Sequence, residues 1–215
     1  MGDKVNYNTG NYDKFMSKNA LKRKMVQNLN NRIVEQVNDF VNEIRAKKGD
    51  EKYIVKILDA GCGEGFIDCF LLKAISGIEI TGLEYTTEAI AIAEQMNPGV
   101  KYIQGDITDM PFDEDEFDIA ICTEVLEHIP GPEAALKELL RVSGNKILIT
   151  VPHEPWFRMG NLLVLKNVTR LGNPVDHVNH WRKSTFVDFL GGSPSWIVKT
   201  SFPWLMASKT IRNLT

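Results

Sequence analysis

From Asn19 to Lys48 the chain contains neither proline nor glycine, and apolar residues fall at Leu21, Met25, Leu29, Ile33, Val37, Phe40, Val41 and Ile44. Steps of three and four residues are the period of an amphipathic helix, and Gly49 and Asp50 supply its stop. Residues 1–50 therefore read as a helical extension. It either packs on the main domain or, with Tyr7, Tyr12 and Phe15 near its start, forms a lid over a site. After residue 50 the pattern changes to short apolar, β-rich runs at 53–58, 78–83, 100–104, 117–122 and 146–151, with helical patterns at 65–76, 86–96 and 132–142 between them. Such alternation predicts an α/β domain over 51–215 with a mostly parallel sheet covered on both faces. In a fold of that kind ligands bind beyond the carboxyl ends of the strands, so each strand ending is a candidate site. Residues 196–200 and 204–208, separated by Ser-Phe-Pro, read as the last two strands.

Composition narrows the class. At 215 residues with 43% hydrophobic and 25% charged side chains, the chain has enough material for one full core and too little for two large domains. No stretch approaches the roughly 18 apolar residues of a membrane span, and the start, MGDKVNYNTG, lacks the apolar centre of a signal peptide. A cytoplasmic location is expected. Cys62, Cys69 and Cys122 are odd in number and lack metal-ligand spacing, which predicts reduced thiols. Charge is uneven: residues 51–130 hold four Lys/Arg against seventeen Asp/Glu, although the whole chain is only −3. An acidic centre repels phosphates and nucleic acid and suits a neutral or cationic ligand.

The first strand runs into LDAGCGEGF, where Gly61, Gly63 and Gly65 permit a tight turn and close approach of backbone N–H groups to a ligand. A dinucleotide fingerprint is disfavoured: Phe66 stands where glycine or alanine is needed, and Glu64 and Asp59 would compete with a pyrophosphate. Taken singly, Asp59 reads equally well as a turn cap, Glu84 as a solvated acid and Asp106 as an Asx-turn residue. Together, Asp59-Ala60-Gly61-Cys62-Gly63-Glu64-Gly65, the ending ITGLEYT, the ending YIQGDITDMPFDEDEFDIAI and CTEVLEHIP resemble class I S-adenosylmethionine-dependent methyltransferases, in particular small-molecule enzymes of the ubiquinone/menaquinone biosynthesis type. The resemblance covers 54–151 well and later residues loosely. It implies a Rossmann-like, doubly wound, seven-stranded sheet with an antiparallel last strand and an acceptor-side insertion at about 152–192. It also implies S-adenosylmethionine as cofactor. Asp59, Gly61, Cys62 and Gly63 would form the glycine turn, Glu84 would accept from both ribose hydroxyls, Tyr85 would lie against the adenine, Asp106 would accept from the adenine amino group, and the Ile107 backbone would meet the ring edge. Cys122 and Thr123 would line the methionine end.

Direct displacement at the methyl carbon chiefly needs alignment, so a base helps most when the acceptor must lose a proton. The four histidines all lie late in the chain: His128, His153, His177 and His180. Glu124, Glu127 and His128 are spaced to share a face if their segment is helical. Three readings stay open: a structural turn, His128 as general base, or a divalent metal at Glu124, Glu127 and His128 completed by His177 or His180. A metal is not the favoured reading, although E-x-x-E-H is similar to a metal-holding motif in ubiquinone-pathway O-methyltransferases and small-RNA 2′-O-methyltransferases. Residues 154–174 read as an amphipathic helix carrying Trp156, Phe157, Leu162, Leu163, Leu165 and Val168 with Arg158, Lys166 and Arg170. It either packs on the sheet or covers a lipid-like acceptor in peripheral contact with a membrane. The expected function is methyl transfer to a small-molecule acceptor. The alternatives are a metal-assisted RNA 2′-O-methyltransferase, which lacks an evident aromatic-basic stripe, and a non-catalytic S-adenosylmethionine-binding subunit.

Overall fold

The computed structural model describes residues 19–163, 174, 177–192 and 194–211. Tyr7, Tyr12 and Phe15, and with them the lid reading, lie outside these residues. Seven strands form one sheet in the order β3-β2-β1-β4-β5-β7-β6, the expected Rossmann-like α/β arrangement. The chain divides into two compact units, one ending at Ile107 and one beginning at Thr108.

In the first unit, α1 (Ala20–Lys48) is capped by the Asn19 side chain, which accepts from the backbone N–H groups of Leu21 and Lys22 at 3.0 and 3.1 Å. It ends at Gly49 in the left-handed region. Its buried stripe is Val26, Leu29, Ile33, Val37, Phe40, Val41 and Ile44, whereas Leu21 points to solvent. The helix packs against α2 (Phe66–Ala74). Strands β1 (Val55–Ala60), β2 (Ile78–Glu84) and β3 (Lys101–Gln104) are parallel, with Ala60 opposite Leu83 and Glu84 opposite Gln104. Helix α3 (Thr87–Met96) joins β2 to β3. Strand β1 lies two residues later than its apolar pattern predicts. The Tyr53 N–H donates to the Asp50 carbonyl at 3.2 Å in a turn and its carbonyl accepts from Arg45 Nε at 3.1 Å, while Asp59 and Ala60 find partners in Gly82 and Leu83. Val55, Ile57, Leu58, Leu71 and Leu83 are fully or almost fully buried, each such side chain stabilising the fold by roughly 1.5–3 kcal/mol.

In the second unit, β4 (Phe117–Thr123) and β5 (Ser143–Pro152) are parallel, and α4 (Pro132–Val142) runs directly into β5. Strand β5 thus starts three residues before the predicted 146, because Ser143 already pairs with Phe117. Then come α5 (Trp156–Leu163), α6 (Lys183–Phe189), β6 (Trp196–Ser201) and β7 (Trp204–Thr210). Strand β7 is antiparallel to both β5 and β6. Of the amphipathic helix expected at 154–174, the part seen is α5; Leu165, Lys166, Val168 and Arg170 lie outside the described residues. Among the described residues no helix is long and apolar enough to cross a membrane. None of the three cysteines forms a disulfide.

Candidate functional site

The ends of three neighbouring parallel strands meet at one edge of the first unit. Strand β1 passes into a turn whose alternate residues Gly61, Gly63 and Gly65 take φ of 82°, 54° and 73°, a region that penalises any side chain. The Gly61 and Cys62 N–H groups both donate to the Leu83 carbonyl, at 2.7 and 3.1 Å, fixing the turn to β2. Glu84, the last residue of β2, accepts from the Gly63 N–H at 3.1 Å through Oε2 and from the Thr86 N–H and hydroxyl at 2.9 and 3.0 Å through Oε1. One carboxylate is therefore aimed along the glycine turn. The next residue, Tyr85, is 70% exposed, and its carbonyl accepts from Gln104 Nε2 at 3.1 Å. Asp106 is exposed just beyond β3, while Ile107 is buried. The structure thus brings Asp59, Gly61, Cys62, Gly63, Glu84, Tyr85, Asp106 and Ile107 to the carboxyl ends of β1, β2 and β3.

Beneath the turn lies a buried acidic network that the sequence pattern does not announce. Asp59 and Asp68 are 1% and 0% exposed. Burial, then each other's proximity and Glu84, pushes the Asp59 carboxyl well above the ordinary carboxylate range, and burial also raises Asp68. The Tyr102 hydroxyl donates to Asp68 Oδ2 at 2.8 Å, while Asn97 Nδ2 donates to Tyr102 Oη and to the Gly65 carbonyl, each at 2.9 Å. The only sequence signal for this network is a lone acid, Asp68, on an otherwise apolar helix face.

In the second unit, Cys122 is buried and Thr123 half-buried at the carboxyl end of β4. The chain then reverses at Glu124, whose φ is +59°. Only Leu126–His128 is helical, as one 3₁₀ turn, so the shared face for Glu124, Glu127 and His128 does not form. Glu124 Oε2 instead accepts from the Trp204 indole N–H. Glu127 is fully buried, with its carboxylate 3.9 Å from His128 Nε2. Backbone bonding carries the distant segment 177–180 to this turn: the Val178 and Asn179 N–H groups donate to the Glu127 carbonyl at 2.8 and 3.1 Å. Asn179 Nδ2 donates to the Leu126 and Ile129 carbonyls at 2.8 and 2.7 Å. This stitch sets the His177 ring edge-on to His128, with centroids 4.9 Å apart, and stacked on Phe157 at 5.5 Å. Ligand atoms of Glu127, His128 and His177 all lie within 4.8 Å of one another. Metal bonds of about 2.0–2.2 Å place neighbouring ligand atoms nearer 3–4 Å apart, so a modest closure fits this carboxylate-imidazole set to a divalent ion. Glu124 and His180 are not in that group; His180 Nδ1 lies 3.9 Å from Glu154 Oε1. His153 lies beside Trp181 through an isolated bridge. Burial lowers the basicity of both His153 and His180, assisted by Lys183 and Arg158 respectively.

Residues 58–146 match the family described as methyltransferase domain. A ubiquinone biosynthesis O-methyltransferase of Coxiella burnetii is 31% identical over 122 residues, covering 52% of this chain and 51% of that protein. Its Pseudomonas putida counterpart is 29% identical over 129 residues, covering 54% and 53%. The chain thus spans about half the length of the curated relatives it matches. Among solved structures, magnesium protoporphyrin IX methyltransferase from Synechocystis PCC 6803 with bound SAH superposes with a TM-score of 0.65 over 96% of each chain at 17% identity. A Haloferax volcanii methyltransferase in complex with its activator superposes at 0.59 over 75% of this chain and 84% of that one, at 16% identity. At such identities the likeness establishes the fold.

Proposed function

We propose, from the match of residues 58–146 to the methyltransferase-domain family, that the chain moves a methyl group from S-adenosylmethionine to a small-molecule acceptor. The observation that carries this reading is Glu84, whose carboxylate is held at the end of β2 against the glycine turn by Gly63 and Thr86. A carboxylate so placed accepts charge-assisted hydrogen bonds from a ribose diol. The acidity of residues 51–130 and the donor-less carboxyl oxygens of Asp59 fit a ligand bearing a sulfonium and an ammonium. Asp106 accepts from the adenine amino group, the Ile107 backbone and Tyr85 ring bound the adenine, and Cys122 and Thr123 serve the methionine end. When bound, S-adenosylmethionine supplies the methyl on a leaving group that needs no acid from the protein. His128 takes the proton that a hydroxyl acceptor must lose, and Glu127, 3.9 Å away, stabilises the resulting imidazolium. Exposed Trp156, Met159 and Phe202, with the Trp156 and Phe202 rings 6.2 Å apart, favour an acceptor of apolar, lipid-like character.

Glu84→Ala is expected to weaken S-adenosylhomocysteine binding by about 1.5–3 kcal/mol, measured by titration calorimetry. Unchanged affinity would sink the ribose assignment. Methylated product formed from labelled cofactor and a metabolite extract separates an enzyme from a binding subunit. A second reading rests on the converging Glu127, His128 and His177 atoms, which could hold a divalent cation that polarises an acceptor hydroxyl. His128→Ala is expected to lower turnover ~10²- to 10⁴-fold with cofactor affinity unchanged. EDTA separates the two readings: retained activity keeps His128 as base, and loss restored by Mg²⁺, Mn²⁺ or Zn²⁺ assigns it to the metal.

A further inference from the structure

Asp59 and Asp68 pose a problem of hydrogen-bond accounting. Both are almost wholly buried, and each lies within the other's hydrogen-bonding reach. Neither oxygen of Asp59, nor Asp68 Oδ1, has a donor among the described residues; only Asp68 Oδ2 does, from Tyr102 at 2.8 Å. Two ionised carboxylates are pure acceptors and repel. One proton between them converts the repulsion into a hydrogen bond. Among the described residues, the other groups acting on the pair are Glu84 at the end of β2, Tyr102 on β3 and Cys62 in the turn, all neutral or negative; no cation among them offers an alternative.

The surrounding packing keeps this pair in place. A Cβ on Gly65 would meet Tyr102 Oη at 2.6 Å and Asn97 Nδ2 at 2.7 Å, and one on Gly82 would run into the Tyr102 ring and meet Cys62 Sγ at 2.7 Å. Both glycines therefore make room for a brace that runs from the Gly65 carbonyl through Asn97 and Tyr102 to Asp68. Asp68 is linked in this way to the turn that Asp59 opens.

We propose that Asp59 and Asp68 share one proton beneath the glycine turn, that Asp68 is thereby a positioning residue of the cofactor site, and that capture of cationic cofactor expels this proton to solvent. The inference rests on the cofactor reading above and adds to it a proton balance. A ligand cation near the turn stabilises the doubly ionised pair, which the site without ligand does not tolerate. By linkage, ligand affinity then increases with pH, up to about tenfold per pH unit, until the pair is ionised without ligand.

The test is calorimetric titration of the full chain with S-adenosylmethionine, in phosphate and in imidazole buffer, from pH 6 to pH 7, where the cofactor's own ammonium stays protonated. Wild type is expected to release up to one proton per cofactor bound, with affinity rising as pH rises. Asp68→Asn is expected to bind with no proton release and a flat profile, since its amide donates to Asp59 in place of the shared proton, and Asp68→Ala should lose affinity. Binding by wild type without proton release, or equal pH slopes in wild type and Asp68→Asn, overturns the proposal and leaves the cofactor reading standing. Wild type that binds at no pH overturns the cofactor reading itself. Should Asp68→Asn fail to fold, infrared difference spectroscopy of wild type decides: a protonated carboxyl band lost on cofactor addition is expected, and no change overturns the pair.

Discussion

At the scale of single residues, Gly65 joins backbone conformation to the buried network. Its φ is +73°, and Tyr102 and Asn97 stand 2.6–2.7 Å from the place a methyl group would take. Gly65→Ala is therefore costly on two counts, left-handed backbone and overpacking. The expected loss is about 2–4 kcal/mol, read from urea unfolding. The strand-end placement of Asp59, Glu84 and Asp106 was legible because each follows an apolar run that the sequence reads as a strand. Asp68 was not, since an acid inside an apolar helix carries no sign of what it faces until β3 brings Tyr102 alongside. Glu124 misled for a different reason: helical spacing to Glu127 is meaningless once φ turns positive at Glu124 itself.

At the scale of elements, α4 does more than cover the sheet. Glu138 and Arg141, one turn apart, form a two-pronged pair at 2.6 and 2.8 Å. Arg141 also donates to the Phe112 and Met110 carbonyls at 2.6 and 3.0 Å, and Glu138 Oε2 accepts from the Met110 N–H at 2.9 Å. The arginine holds the Glu138 carboxyl below the ordinary carboxylate range. Arg141→Met should strip the Phe112 carbonyl of its guanidinium donor, leave the Met110 carbonyl only the Phe112 N–H at 2.9 Å, and cost about 1–3 kcal/mol. Faster hydrogen exchange at the Met110 amide is the accompanying sign; an unchanged rate would mean that the loop is held by its own packing. Helix α1 was readable along its length because a three-to-four period over 29 residues leaves little alternative. Its buried stripe nonetheless begins at Val26 rather than Leu21, since periodicity marks a face and not where the partner surface stops. The 177–180 stitch was invisible for the same kind of reason: it is made by backbone groups and by Asn179, which any loop could contain.

At the scale of the whole molecule, stability responds to pH through groups that pull in opposite directions. Asp59 and Asp68 hold their proton more tightly folded than unfolded, so their contribution declines as pH climbs above the ordinary carboxylate range of about 4. His153 and His180 resist protonation when folded, so the unfolded chain gains protons first as pH falls through about 6.5, and stability drops there. Asp68→Asn removes the first effect alone, and its urea midpoint relative to wild type is expected to rise steadily from pH 5 to pH 8; a constant difference would contradict the shared proton. The alternation of strands and helices was enough to place the chain in its architecture, whereas the final strand order depends on which hairpin partner slides inward. That partner is β7, seated between β5 and β6. Without Trp204–Thr210, β5 has an open edge and β6 has no strand beside it. With that edge open, the Ile147, Ile149 and Val151 segment is an adhesive surface, and Glu124 lacks the indole that holds it. Strand β7 is thus the keystone of this half of the sheet: its opening exposes two strand edges at once, which makes detachment of one strand, rather than loss of the core, the event that leaves the second unit prone to aggregate.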